Sequence, residues 1–271
     1  MSTTKTINYR KFKRDRFGIC NICLEKKPLS WDHVPPKNAV NITETEIYEI
    51  QEVLVKGIEG TKPHFSQNGL KFRTICSQCN SILGTEYDQE FGDLAKNVTN
   101  LMKSSLFLPE SLTVTVNPYK VSKAIIGHLL SAKTHTDNNL IEKKLRSYFL
   151  SRDQESLDGL YIHYWVYPYN DTKILHDFWL KDIGDDSMSI NGGSILKFFP
   201  LAFMIHDKSE YANLEEITSK IVSKEDTCQL PIFVRQNRGN DWPEAIKNKK
   251  VMLVGQGFNN SVFAKQRTKK K

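Results

Sequence analysis

The sequence predicts an α+β fold, and three observations predict it. Two Cys-x-x-Cys pairs, Cys20 with Cys23 and Cys76 with Cys79, mark a metal-bound module near the N-terminus. An apolar stripe at helical spacing follows the second pair. Beyond Gly159 the chain turns to β-branched and aromatic runs punctuated by Gly, Asn and Pro, which is the composition of a sheet.

In chain order, the stretch from Phe17 to Ser30 holds Gly18, Cys20, Cys23 and Pro28, which suits a metal knuckle and its turns better than a long helix or strand. Ile47, Ile50, Val53, Leu54 and Ile58 fall near helical spacing, while Gly57 and the β-branched content leave a strand open. Past Cys79, the residues Leu83, Tyr87, Phe91, Leu94, Val98 and Leu101 recur every three or four positions, the stripe of one long helix ending near Met102. Pro109 breaks that pattern, and the alternation of Leu112, Val114 and Val116 predicts a short strand. Asn117 followed by Pro118 is an N-cap with proline in the first turn, opening a helix with Val121, Ile125, Leu129 and Ala132 on one face. A second helix is expected from Asn139 to Leu150. Residues 160–167, 173–183, 195–205, 230–234 and 251–254 are expected strands, with one helical interruption at 212–222. Their connections are mostly too short for crossover helices, so the sheet is expected to be antiparallel. The organisation predicted is a basic tail at 1–16, a metal-rich module at 17–105, an α+β domain at 106–264 and a basic tail at 265–271.

Among 271 residues, 38 Lys and Arg stand against 31 Asp and Glu, a net charge of +7. The excess sits at the ends: Lys5, Arg10, Lys11, Lys13, Arg14 and Arg16 at one, and Lys265, Arg267, Lys269, Lys270 and Lys271 at the other. Such blocks are either solvated tails or phosphate-attracting arms, and charge does not choose between them. No run approaches the roughly 18 to 20 apolar residues that span a bilayer, which excludes a transmembrane role. The N-terminus carries no apolar stretch after its charges, so it does not read as a secretory signal, and a cytoplasmic location is expected. Four paired cysteines and an isolated Cys228 fit a metal site in a reducing compartment better than a disulfide framework.

Two thiolates three residues apart can meet one tetrahedral ion, and a second such pair closes its shell, so the four cysteines are expected to hold a structural zinc. Between the pairs lies Trp31-Asp32-His33-Val34-Pro35-Pro36-Lys37, and Asn80 follows the second pair directly. Asp32 is a hard oxygen ligand suited to Mg²⁺, His33 a base able to take a proton from water near neutrality, and Asn80 a second oxygen for the metal. Alternation along a strand sends Asp32 and His33 to opposite faces unless a bend re-aims them.

Cys-x-x-Cys, then Asp-His, then Cys-x-x-Cys-Asn opening a helix resembles the HNH endonucleases, also called ββα-metal or His-Me finger nucleases, and most of all their four-cysteine zinc subclass with its junction-resolving and restriction-type members. The resemblance covers residues 17–103. It implies an N-terminal zinc-stabilised ββα-metal nuclease module with Cys20, Cys23, Cys76 and Cys79 on zinc, Asp32 and Asn80 on a catalytic Mg²⁺ or Mn²⁺, and His33 as general base. Asn68 is the nearest candidate for the family's middle Asn, which steadies the base, although it lies eight residues before Cys76. Two departures stand out: Asn80 replaces the last His of the family name, and the segment between Asp-His and the second knuckle is longer than in minimal members. The implied activity is one-metal hydrolysis of DNA, most simply double-stranded, leaving a 5′-phosphate and a 3′-hydroxyl, in a restriction-like or phage-defence setting. The C-terminal domain would recognise the target, a protein partner or a second copy in a homodimer.

Two rivals remain. One is a noncatalytic zinc-stabilised nucleic-acid-binding module with Asp32 and His33 as scaffold; the other is a nuclease subunit active only with a partner. A zinc deaminase is disfavoured because Val34 and Pro35 follow His33 where a Glu is needed. His128, beside Leu129 in a helix, and His163, in a strand, read as structural, and His206-Asp207 has no cysteine frame. Tyr161, Tyr164, Trp165, Tyr167 and Tyr169 read as sheet packing more readily than as base-stacking groups.

Overall fold

The computed structural model describes residues 15–104, 107, 109–136, 138–182, 191–236, 238–244 and 250–267. Most of both basic ends, including Lys5, Arg10, Lys11, Lys13, Arg14 and Lys269, Lys270 and Lys271, lies outside the described residues, as does Ile183 at the end of one expected strand.

The chain opens with β1 (Phe17–Ile19) and β2 (Lys26–His33), joined by the first knuckle. That knuckle closes on itself: Leu24 takes a left-handed φ of 60° and donates to the carbonyl of Cys20 at 3.0 Å. The eight-residue β2 runs through a stretch expected to hold turns, and it tolerates Pro28 for a geometric reason. Leu29 donates toward the first strand, to the carbonyl of Arg16. Pro28 therefore faces the other edge, where pairing begins only at Leu29, so its missing N–H breaks no ladder.

The ambiguous stretch resolves into both alternatives, β3 (Thr45–Glu49) running into α1 (Ile50–Gly60), which kinks at Gly57. Next come β4 (His64–Ser66) and β5 (Lys71–Cys76). The expected long helix is a composite of α2 (Ser77–Ile82), a π-helical turn over Leu83–Tyr87 and α3 (Asp88–Met102). The second half contains β6 (Ser111–Val116), α4 (Pro118–Ser131), capped by the Asn117 side chain as expected, and α5 (Leu140–Leu150), capped by the side chain of Asn139. Then follow β7 (Tyr161–Val166), β8 (Asp171–Asp182), β9 (Asn191–Phe198), β10 (Leu201–His206), β11 (Glu215–Glu216), β12 (Cys228–Phe233), β13 (Lys250–Val254) and β14 (Val262–Gln266).

Two expectations need correction. The apolar run 195–205 is not one strand but the hairpin β9–β10, turning at Phe199-Pro200. The helix expected at 212–222 does not form: Ala212 and Asn213 take left-handed φ of 50° and 54°, Glu215 and Glu216 pair with β7, and only one 3₁₀ turn follows at Thr218–Lys220. The carboxylate of Glu216 accepts from the backbone N–H of Ser219, and the N–H of Ile217 donates to Ile162 in the sheet, so local capping and long-range pairing outcompete a helix.

Every strand pair described is antiparallel. β1, β2 and β5 form a small sheet, β6 and β12 a ribbon, and nine strands form the large sheet. Strands β3 and β4, from the segment between the two knuckles, belong to that large sheet, where β3 pairs with β14. Helix α4 runs through the centre, buried around its whole circumference, and Lys123, His128, Ser122 and Ser131 are carried inside with it. One apolar core extends from the knuckles through α3 and α4 to the large sheet.

Candidate metal and catalytic centre

Antiparallel pairing of β2 with β5, across the intervening β3, α1 and β4, brings the two knuckles together: Leu29 lies opposite Cys76, and α2 starts at the next residue. The sulfurs of Cys20, Cys23, Cys76 and Cys79 all lie within 4.8 Å of one another. Backbone N–H groups already serve the sulfurs, from Cys76 to Cys20 at 3.2 Å and from Cys79 to Cys76 at 3.5 Å. A hydrogen bond from Cys79, helped by backbone N–H groups and opposed by burial, holds the Cys20 thiol down at about 5, whereas burial pushes Cys23 up to about 11. Four soft donors at this spacing, with thiolate-stabilising amides, suit a tetrahedral metal such as zinc.

The second knuckle's ladder positions the catalytic candidates. Asp32 and His33 end β2, opposite Phe72 and Lys71, just past an irregularity in the β2–β5 register between Ser30 and Asp32. Despite that irregularity the two side chains diverge. His33 faces outward, its Nε2 3.1 Å from the backbone carbonyl of Asn68. A carbonyl only accepts, so Nε2 carries the proton and Nδ1 keeps its lone pair. Burial and then Lys37 lower the His33 pKa below its ordinary value, so the ring is neutral at pH 7. Asn68 thus meets His33 through its backbone, and Gly69, at a left-handed φ of 66°, shapes the turn that aims that carbonyl.

Asn80, one residue past the second knuckle in α2, donates from Nδ2 to the carbonyl of Trp31 at 3.0 Å. The bond fixes the amide beside the residue preceding Asp32, and its Oδ1 accepts no hydrogen bond among the described residues.

Asp32 points inward, with 5% of its surface exposed. Its Oδ2 lies 3.1 Å from Nδ1 of His128 in α4, and Nε2 of the same ring lies 2.9 Å from Oδ1 of Asp88, the first residue of α3. Burial alone would lower the His128 pKa; the carboxylates of Asp32 and Asp88 outweigh it and hold it up at about 10. The ring is a doubly protonated donor between two acceptors. His128 was legible in the sequence only as a helical histidine among apolar neighbours, and no local signal pointed to its partners.

His33 lines a groove of about 640 Å³ between the end of β2, α3 and β14. Lys37, Lys96, Lys103 and Lys265 border it against a single carboxylate, Asp171. On the outer side of the β2–β5 pair, Lys71 and Arg73 stand over the half-exposed ring of Trp31 at 5.0 and 5.4 Å.

Of the other sequence candidates, Tyr164, Trp165 and Tyr167 are buried in the sheet, and His163 and His206 stack at 4.8 Å in a buried pair. No helix of the described residues is long and apolar enough to cross a membrane. Comparison with protein families, with curated proteins and with solved structures finds no match.

Proposed function

We propose that the chain is a metal-dependent endonuclease of the HNH type that hydrolyses DNA phosphodiester bonds. The observation that carries the reading is the grouping at the end of β2, beside the cysteine cluster, of His33 facing a lysine-bordered groove with its Nε2 held by Asn68, the adjacent Asp32, and Asn80 bonded to the carbonyl of Trp31.

Those oxygens suit a hard divalent ion. Among the described residues Oδ1 of Asp32 and Oδ1 of Asn80 have no hydrogen-bond donor, and Mg²⁺ takes one or two protein oxygens with water and phosphate completing an octahedron. A bound Mg²⁺ or Mn²⁺ would supply charge stabilisation on the scissile phosphate and the leaving 3′-oxygen. His33 does the proton work. Nδ1 accepts a proton from the attacking water while Nε2 stays tied to Asn68, so the ring cannot turn away from the groove. The four lysines of the groove attract the phosphates of a nucleic-acid strand, and each contact releases condensed counterions. Cys20, Cys23, Cys76 and Cys79 would hold a zinc ion whose role is structural, locking the antiparallel strand pair that carries Asp32 and His33.

A second reading, a zinc-stabilised nucleic-acid-binding module, is favoured by one observation: Asp32 is spent on a buried contact with His128. Zinc-loaded protein incubated with supercoiled plasmid and Mg²⁺ or Mn²⁺ separates the two. Nicking that His33→Ala slows by about 10²- to 10⁴-fold, with DNA binding retained, supports hydrolysis. DNA binding without cleavage in any divalent ion leaves the binding module.

A further inference from the structure

We infer that His128 is a positioning residue, which clamps Asp32 from α4 so that the carboxylate's second oxygen is presented to a divalent ion, and which ties that ligand to the helix continuing from Asn80. The inference rests on the reading of Asp32 and Asn80 as the divalent-ion ligands.

Four observations carry it. The first is geometric saturation: both nitrogens of a fully buried ring meet carboxylates, at 3.1 Å to Asp32 and 2.9 Å to Asp88. A ring engaged at both ends has neither a second tautomer nor a flipped orientation with equal partners, so Asp32 inherits one rotamer from it. Second, the three residues come from three elements, with separations of 96 and 40 positions, so the arrangement is made by the fold and not by neighbouring residues.

Third, the arrangement is costly as mere scaffold. Two carboxylates and an imidazole taken out of water gain little over an apolar packing of the same volume, so such a triad is poor value for stability alone. The apolar surroundings were available: Phe91 lies against the ring at 6.2 Å, and neighbouring positions of α4 are Ile, Leu and Ala. Fourth, Asp88 is itself held. The side chain of Asn38 donates to its backbone carbonyl at 2.5 Å, and Asp88 follows the π-helical turn that descends from α2. His128 therefore braces the strand end bearing Asp32 against the composite helix bearing Asn80.

The physical role is preorganisation. An aspartate at a strand end must give up side-chain freedom to bind an ion, and a partner on one oxygen removes that freedom beforehand. Outer-shell partners of this kind typically change metal affinity by about 10- to 100-fold. Asp88 supplies the counter-pull that keeps the ring from following Asp32 when the ion arrives.

The test is Mn²⁺ binding to the zinc-loaded, full-length chain, followed by electron paramagnetic resonance, beside plasmid nicking across Mn²⁺ concentrations. His128→Gln retains a donor but not both bonds; Asp88→Asn keeps the shape and an acceptor but removes the negative charge of the counter-pull. Zinc content and circular dichroism establish that each variant is folded. The expected result is one Mn²⁺ site in the wild type, weakened about 10- to 100-fold in His128→Gln and in the same direction in Asp88→Asn. Nicking should be restored toward the wild-type rate at saturating Mn²⁺, a split that loss of fold would not produce. Should His128→Gln fail to fold, Asp88→Asn decides. Wild type that binds Mn²⁺ and cuts, with folded variants of unchanged Mn²⁺ affinity, overturns the role of His128 alone. Wild type that neither binds Mn²⁺ nor cuts overturns the reading of the site itself, and this inference with it.

Discussion

Arg146 donates from Nε to the backbone carbonyl of Asn21 at 2.7 Å, joining the first knuckle to a helix 125 positions away. Asn21 sits between two zinc-ligand candidates and spends its side chain on the end of α4 and the residues just past it. Its Nδ2 donates to the carbonyls of Leu130 and Lys133 at 3.0 and 2.7 Å, and its Oδ1 accepts from the Thr136 hydroxyl at 2.9 Å. The knuckle thus caps the end of α4, two residues from His128. Asn21→Ala removes three side-chain bonds, two of them buried, and should cost about 3 kcal/mol, at roughly 1 kcal/mol each. Urea denaturation of the zinc-loaded protein measures it, and a loss below about 1 kcal/mol would mean that water replaces the amide.

Metal removal should act on folding before it acts on chemistry. The cysteine cluster closes the β2–β5 pair, and structural zinc in small modules contributes on the order of 10 kcal/mol at neutral pH. Chelation, or Cys79→Ser, should therefore abolish zinc content and weaken or abolish the cooperative thermal transition, since one core joins the knuckles to the large sheet. Circular dichroism and elemental analysis on one sample check it; full retention of the transition without zinc would speak for a dispensable site.

Asn68 and Gly69 should respond in opposite ways to replacement by alanine. His33 is held by the backbone carbonyl of Asn68, so Asn68→Ala should leave cleavage close to wild type. Gly69 has a left-handed φ of 66°, where a Cβ costs about 1 kcal/mol, and relaxing that strain would shift the carbonyl. Gly69→Ala should lower both stability and rate. A large loss in Asn68→Ala with Gly69→Ala silent would assign the role to the amide side chain instead.

Stability should depend on two buried histidines remote from the β2–β5 pair. Burial, stacked His163 and Lys208 hold His206 down to about 3, and burial with Lys133 holds His176 well below its ordinary value. Both folded-state values lie below the unfolded 6.5, so the unfolded chain binds more protons as pH falls through 6.5 and stability drops. His128 has the opposite sign, since its folded value is raised and its contribution is largest below 6.5. The difference between variants isolates one group: His206→Asn should reduce the loss between about pH 7.5 and about pH 5.5 by about 1.4 kcal/mol relative to wild type. Urea midpoints at the two pH values report it, and parallel losses in the two proteins would refute it.

Much of the local structure was legible in the residues. Asn117-Pro118 announced its helix because an N-cap is a contact between residues three apart, and the alternation at Leu112, Val114 and Val116 announced its strand for a similar reason. The helix expected at 212–222 failed because its periodicity was real only locally, while Glu216 and Ile217 had partners inside and beyond the turn.

The same division runs through the site. The sequence by itself determined the metal donors and their neighbours, since Cys-x-x-Cys spacing, Asp32 next to His33, and Asn80 next to Cys79 are facts of covalent adjacency. Only the tertiary structure decided that Asp32 and His33 face apart, that a carbonyl at Asn68 holds the base, and that His128 closes the arrangement from α4. It also decided that β3 and β4 leave the knuckles to join the large sheet. The physical reason is range: a ligand pair or a cap is encoded within a few residues, whereas the partner of a buried polar side chain is set by which distant surface the folded chain brings against it.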